Sequence, residues 1–265
     1  MKTEKILDKC YLLSTKKSFF HRFCDSGFKT KWTGLWSYPR KFLDYFAFRI
    51  NGEWLSPKNC VKVDFNNSSF THVYEIDGIE AREKLFLNEK AKSLICNFSI
   101  RSNETKRFKI SLEVGINIRE REENWHDRKY NAKNQNGIFS VNSEKGSIVI
   151  GISKPFEISG PEIYRDHFPG ELERCFIPGN ISFEVDAGEE VSIIFACGEN
   201  EAEAICNFTY AKNSLLEVEE KLEAPLAFKL KTGIKEIDEL FRKSIFGLEK
   251  LKVESKAGLG YIAGF

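Results

Sequence analysis

Along residues 108–118 apolar and polar positions alternate without a break. Phe108, Ile110, Leu112, Val114, Ile116 and Ile118 hold one parity; Lys109, Ser111, Glu113, Gly115 and Asn117 hold the other. Strict period two marks a half-buried strand and cannot wrap an amphipathic helix, whose apolar positions recur every three to four residues. The run Leu94, Cys96, Phe98, Ile100 alternates in the same way. The polar turn Ser102-Asn103-Glu104-Thr105 predicts that these two strands pair as a hairpin. Upstream, Phe42, Phe46, Phe48 and Ile50 share one face of a strand that ends at Asn51-Gly52. Asn-Gly between two β-like runs is a strong hairpin signal, because a type I′ turn needs positive φ twice. Asp77-Gly78 repeats the signal between the runs 71–76 and 79–87. Further strands are predicted at 137–141, 147–152, 173–177, 181–185 and 191–196, with Asp186-Ala187-Gly188 turning a last hairpin. The Pro/Gly-punctuated stretch 159–170 reads as a long surface loop.

The texture changes at Gly198. Asn200 followed three residues later by Glu203 resembles a capping box and predicts a helix over 201–221, broken by Ala224-Pro225. A second helix is predicted over 233–252. Its Ile234, Ile237, Leu240, Phe241, Ile245, Leu248 and Leu251 form one wide apolar face at 3/4 spacing. The fold class expected is therefore mainly β. A large antiparallel β-sandwich occupies 1–198, and a helical linker of two helices occupies 199–257. The Gly-rich apolar run 258–265 reads as the start of a further buried structure, because chain ends are usually polar and frayed. An uncovered apolar helix face also invites self-association.

Composition narrows the function classes. The 265 residues carry 40 Lys+Arg against 39 Asp+Glu, a net charge of +1, which removes the electrostatic case for nucleic acid or an anionic membrane as partner. The 42% hydrophobic and 30% charged residues fit a globular chain, and 23 phenylalanines lean towards β structure. No apolar run reaches the length of a signal peptide or a membrane span, so the expected location is the cytoplasm. Seven cysteines without a C-x-x-C read as buried free thiols.

Few patterns carry chemistry. No G-x-S-x-G elbow supports a nucleophile, and Gly258-Leu259-Gly260 lacks the third glycine of a dinucleotide loop. The acid–imidazole pairs His126-Asp127 and Asp166-His167 could meet in a metal site, but without H-x-H or H-E-x-x-H no metal or cofactor is expected. Glycoside hydrolysis needs two carboxylates flanking the bond, and nothing in the sequence pairs any two of the acidic residues. Trp32, Trp36, Trp54 and Trp125 are candidate sugar-stacking platforms; burial in the sandwich is the competing reading of the same rings.

Two stretches resemble a family. The run 34–48, opening Gly34-Leu35-Trp36-Ser37-Tyr38-Pro39-Arg40, with Asn51-Gly52-Glu53-Trp54-Leu55-Ser56-Pro57, is similar to the amino-terminal domain of archaeal amylo-α-1,6-glucosidase-type proteins. These are glycogen-debranching relatives of the glucoamylase-like glycosidases. The run Ala257-Gly258-Leu259-Gly260-Tyr261-Ile262-Ala263-Gly264-Phe265 resembles the stretch that opens the family's catalytic (α/α)₆ barrel. The resemblance implies a β-sandwich, linker helices and the edge of a barrel. The family's Trp-Gly-Arg-Asp run and both catalytic glutamates are not in this sequence, so no catalytic residue is assigned. Tyr261 and Phe265 join the tryptophans as sugar-contact candidates. The partners implied are a catalytic barrel, in a downstream segment or a separate chain, and an α-glucan. The other reading is a stand-alone carbohydrate-binding sandwich with no hydrolase partner.

Overall fold

The computed structural model describes residues 9–66, 68–104, 106–121, 123, 129–166, 174–215, 230–255 and 258–261. The first ten strands are β1 (Cys10–Ser14), β2 (Phe19–Phe23), β3 (Gly34–Ser37), β4 (Arg40–Ile50), β5 (Glu53–Trp54), β6 (Cys60–Phe65), β7 (Ser69–Ile76), β8 (Ile79–Leu87), β9 (Ser93–Arg101) and β10 (Arg107–Glu120). Next come β11 (Asn131–Gln135), β12 (Ile138–Ser143), β13 (Gly146–Ile152), β14 (Glu157–Ser159), β15 (Ile163–Asp166), β16 (Arg174–Ile177), β17 (Asn180–Asp186) and β18 (Glu190–Gly198). Helices α1 (Glu201–Asn213) and α2 (Lys235–Lys250) follow, then a small hairpin of β19 (Lys252–Ser255) and β20 (Gly258–Tyr261).

The first sheet runs β1-β2-β3-β4-β10-β16-β15, with β5 on β4, β17 on β10 and β14 on β17; the second runs β11-β12-β13-β18-β9-β8-β7-β6. The chain is thus mainly β, two large antiparallel sheets face to face, as the alternation predicts. The inner faces meet ring to ring: Phe46 of β4 stacks on Phe195 of β18 at 5.1 Å, and Phe48 on Phe98 of β9 at 4.5 Å. Both predicted turns have the left-handed backbone they require. Asn51 and Gly52 sit at φ 50° and 98°, and Asp77 and Gly78 at 47° and 75°.

Two predicted hairpins are not formed. β9 does not pair with β10; it lies between β8 and β18 in the second sheet, while β10 pairs with β4, β16 and β17 in the first. Likewise β17 and β18, joined through Asp186-Ala187-Gly188, belong to opposite sheets. In both cases the loop carries the chain across the sandwich. The crossings lie side by side, with Ala187 N–H donating to the Lys106 carbonyl (3.1 Å) and Gly188 N–H to that of Ile100 (2.8 Å). Alternation looks the same whether a strand's successor pairs beside it or packs opposite it across the core, so the pattern cannot separate the two.

The outer face of the second sheet is closed by α1. Ala204, Phe208 and Ala211 pack on Phe86, Ile95, Val149 and Ile194. The predicted cap is present: Asn200 Oδ1 accepts from Glu203 N–H (3.0 Å), and Glu203 Oε2 accepts from Glu199 N–H (2.8 Å). The helix ends at Asn213, where Ser214 caps it by donating its N–H to the Tyr210 carbonyl, short of the predicted 221; residues 216–221 lie outside the described residues. The α2 helix presents Ile237, Leu240 and Leu248 to solvent, with Leu240 66% exposed. The β19–β20 hairpin touches the sandwich where Glu254 N–H donates to the Lys16 carbonyl (2.8 Å) and the Glu254 carboxylate pairs with Lys17 (2.8 Å). All seven cysteines are free; Cys10 and Cys206 are exposed and the other five buried. Among the described residues no helix is long and apolar enough to cross a membrane.

Candidate functional site

The outer face of the first sheet is built differently from that of the second. No helix seals it among the described residues, and β4 and β10 carry polar side chains there that are themselves buried, Lys41, Asp44, Asn117 and Arg119 among them. At one end Trp36 is buried (3% exposed), ring-stacked with Phe19 at 5.7 Å and with Trp32 at 6.0 Å. Its indole N–H donates to the Trp32 carbonyl (3.1 Å). Beneath lies a buried ionic cluster. Lys41 pairs with Asp44, Asn117 donates to Asp44 (3.2 Å), and Lys41 and Arg119 both donate to the Lys31 carbonyl, at 2.7 and 3.2 Å. The cations of Lys41 and Arg119 also lie 5.6 and 5.2 Å from the Trp36 ring. Trp32 and Trp36 therefore pin the 28–33 segment to the sheet.

Beside this end the same face opens into a groove of about 340 Å³. Its walls include Phe28, Tyr45, Trp54, Leu55, Glu113 and Arg165. Tyr45 sits directly opposite Gly115 in the β4–β10 ladder, and its ring lies flat over that glycine. A Cβ at residue 115 would fall 2.1 Å from Tyr45 Cε1, so only glycine lets the ring lie there. The Tyr45 hydroxyl donates to Glu113 Oε1 (2.7 Å), and Arg165 Nη2 donates to the same oxygen (2.6 Å) and to the Tyr45 hydroxyl. Burial, then the neighbouring Cys175 thiol and Glu113, push the Tyr45 hydroxyl far above its ordinary range, so it stays a donor. Burial alone would lower the Arg165 guanidinium, but Tyr45 and Glu113 together outweigh it and raise it. Behind the tyrosine, burial pushes the Cys175 thiol up to about 12, which keeps it protonated and inert. Trp54 is half-buried, with the Arg49 guanidinium 3.9 Å from its ring centre. At the groove floor Arg22 pairs with Glu83 of the opposite sheet, so its charge is already neutralised.

The sequence-predicted rings do not converge. Trp54 lines the groove; Trp32 and Trp36 form the separate stack; Tyr261 stands exposed on the C-terminal hairpin. Trp125 and Phe265 lie outside the described residues, as do His126, Asp127 and His167. Asp166 is ion-paired with Arg174 (2.9 Å). The residues that sequence reading missed are Tyr45, Glu113 and Arg165. The available signal was Gly115, a glycine inside an otherwise regular strand, which marks a close approach.

No protein-family model and no curated protein matches the sequence. Among solved structures, a bacterial glucoamylase complexed with acarbose is similar at TM-score 0.60 and 13% identity, covering 91% of this chain and 40% of that one. This chain shares its fold with part of that glucoamylase. A heparinase III reaches TM-score 0.49 at 10% identity, over 74% of this chain and 36% of that one. A putative aldose 1-epimerase from Escherichia coli K12 reaches 0.39 at 12% identity, over 72% and 99%. Scores this low add nothing to the glucoamylase match, which covers 91% of this chain.

Proposed function

We propose that this chain is the non-catalytic β-sandwich portion of a glycogen-debranching-type glucosidase, acting on α-glucans in the cytoplasm together with a catalytic barrel. The observation that carries this reading is the glucoamylase fold match over 91% of the chain, combined with its reach of only 40% of the glucoamylase. Three further features support it. Glu113 is the one acidic residue among the described residues lining the groove, whereas glycoside hydrolysis needs two. The exposed apolar face of α2, with Ile237, Leu240 and Leu248, is a surface of the kind that docks on another domain. Seven free thiols suit a reducing compartment.

The stand-alone carbohydrate-binding module is favoured by one observation, the aromatic-walled groove. It differs from the first reading in leaving α2 without a partner. Both are tested by incubating the 265-residue chain with glycogen and with pullulan and measuring released glucose. The expected result is no release. Release that is lost on substituting a single carboxylate of this chain, for example Glu113→Gln, would overturn the non-catalytic assignment.

A further inference from the structure

We propose that the groove between β4, β5, β10 and β15 is a binding site for a neutral saccharide, with Trp54 as the apolar platform and Glu113 and Arg165 as the hydroxyl-reading pair. The volume of about 340 Å³ lies at the lower end of the roughly 300–1,000 Å³ of small-ligand pockets, room for one or two sugar rings. A pyranose has an apolar C–H face and an equatorial belt of hydroxyls. The groove presents the complement. Phe28, Trp54 and Leu55 offer apolar wall, and a carboxylate and a guanidinium sit side by side at the rim.

The polar pair is held in place yet has capacity left. Tyr45 and Arg165 Nη2 occupy Glu113 Oε1, while Glu113 Oε2 and Arg165 Nε and Nη1 have no hydrogen-bond partner among the described residues. A free acceptor beside a free donor edge matches a vicinal diol, one hydroxyl donating to the carboxylate and its neighbour accepting from the guanidinium. Tyr45, fixed by its packing on Gly115, sets the orientation of both. Among the residues lining the groove Glu113 and Arg165 cancel in charge and Arg22 is cancelled by Glu83, so the lining favours a neutral sugar, with the Arg49 guanidinium beside it on the Trp54 ring.

The choice of an α-glucan probe rests on the function proposed above; the groove chemistry does not. The test is calorimetric titration of the full chain with maltotriose, with cellotriose and with a sulfated heparin disaccharide. Maltotriose is expected to bind, and Arg165→Ala to weaken it about tenfold or more, the loss that follows when charge-assisted hydrogen bonds are removed. The Arg165 side chain is 46% exposed, so this variant is expected to keep the melting temperature of the parent. Trp54→Phe, which keeps a ring of reduced area, is expected to weaken binding by a smaller factor. Binding of cellotriose without maltotriose would keep the groove and overturn its α-glucan ligand. No binding of either neutral sugar by folded protein, undiminished binding by Arg165→Ala, or preference for the sulfated disaccharide would overturn the proposal.

Discussion

Glu83→Gln is expected to destabilise the chain by about 3–5 kcal/mol, the range for leaving one partner of a buried ion pair without its counter-charge. Glu83 on β8 and Arg22 on β2 belong to opposite sheets, and their side chains are only 1% and 4% exposed. The carboxylate also accepts from the Tyr74 hydroxyl (2.7 Å), while Arg22 donates through Nε to the Ser26 carbonyl (2.8 Å) and lies 4.5 Å from the Phe28 ring centre. Burial works against the arginine's charge and Glu83 is the main influence holding it up; a guanidinium nevertheless keeps its proton in proteins, so Arg22 cannot relieve the loss by deprotonating. A glutamine keeps the shape and a hydrogen bond to Tyr74 but leaves a cation in the core. Urea denaturation reads the effect as a lower midpoint. The control is Asp186→Asn, which breaks the Arg107 pair where both side chains are more than half exposed (63% and 51%). There the midpoint is expected to stay where it is, because exposed pairs are screened and gain little. A loss below about 1 kcal/mol for Glu83→Gln would show that water reaches Arg22.

Asp44→Asn is expected to cost a similar amount, about 3–5 kcal/mol, and to act on a particular segment. Lys41 and Asp44 are 0% exposed and Arg119 is 1% exposed. Arg119 donates to the carbonyls of Lys31, Glu120, Arg121 and Glu123, and Asp44 carries the full charge that opposes Lys41. Losing that charge takes from Lys41 its ion-pair partner beneath the 28–33 segment that Trp32 and Trp36 pin down. Two readouts separate local from global damage: a red shift of tryptophan emission and faster proteolysis within 28–33, both in denaturant well below the midpoint. Unchanged stability together with unchanged emission would contradict the buried-cluster assignment.

These two networks also show where the sequence is readable. Inner-face residues such as Phe108 to Ile118 announce themselves, because one wet face and one dry face impose period two. The early strands do not. In β2, Phe19-Phe20-His21-Arg22-Phe23, an arginine takes an inward place through its inter-sheet ion pair, and all four residues of β3 are buried, so neither alternates. Sheet membership was equally hidden, since β9 and β10 are consecutive, equally apolar on one parity, and opposite in space. For the groove, Trp54 was visible as an aromatic beside a hairpin. Tyr45, Glu113 and Arg165 were not: 68 residues separate the first two and 52 the last two. Only the β4–β10 register and the β10–β16–β15 order bring them together. The C-terminal helix face was legible from its 3/4 spacing, because amphipathicity is a local property.

The measurement that bears most directly on a sandwich that holds saccharide without cleaving it is a single proton NMR experiment on maltotriose mixed with the full chain. Saturation-transfer signals on the sugar ring protons, lost in Arg165→Ala, with no growth of free glucose anomeric signals over hours, are the expected result. Growth of free glucose, or the absence of transfer to maltotriose from folded protein, would contradict it.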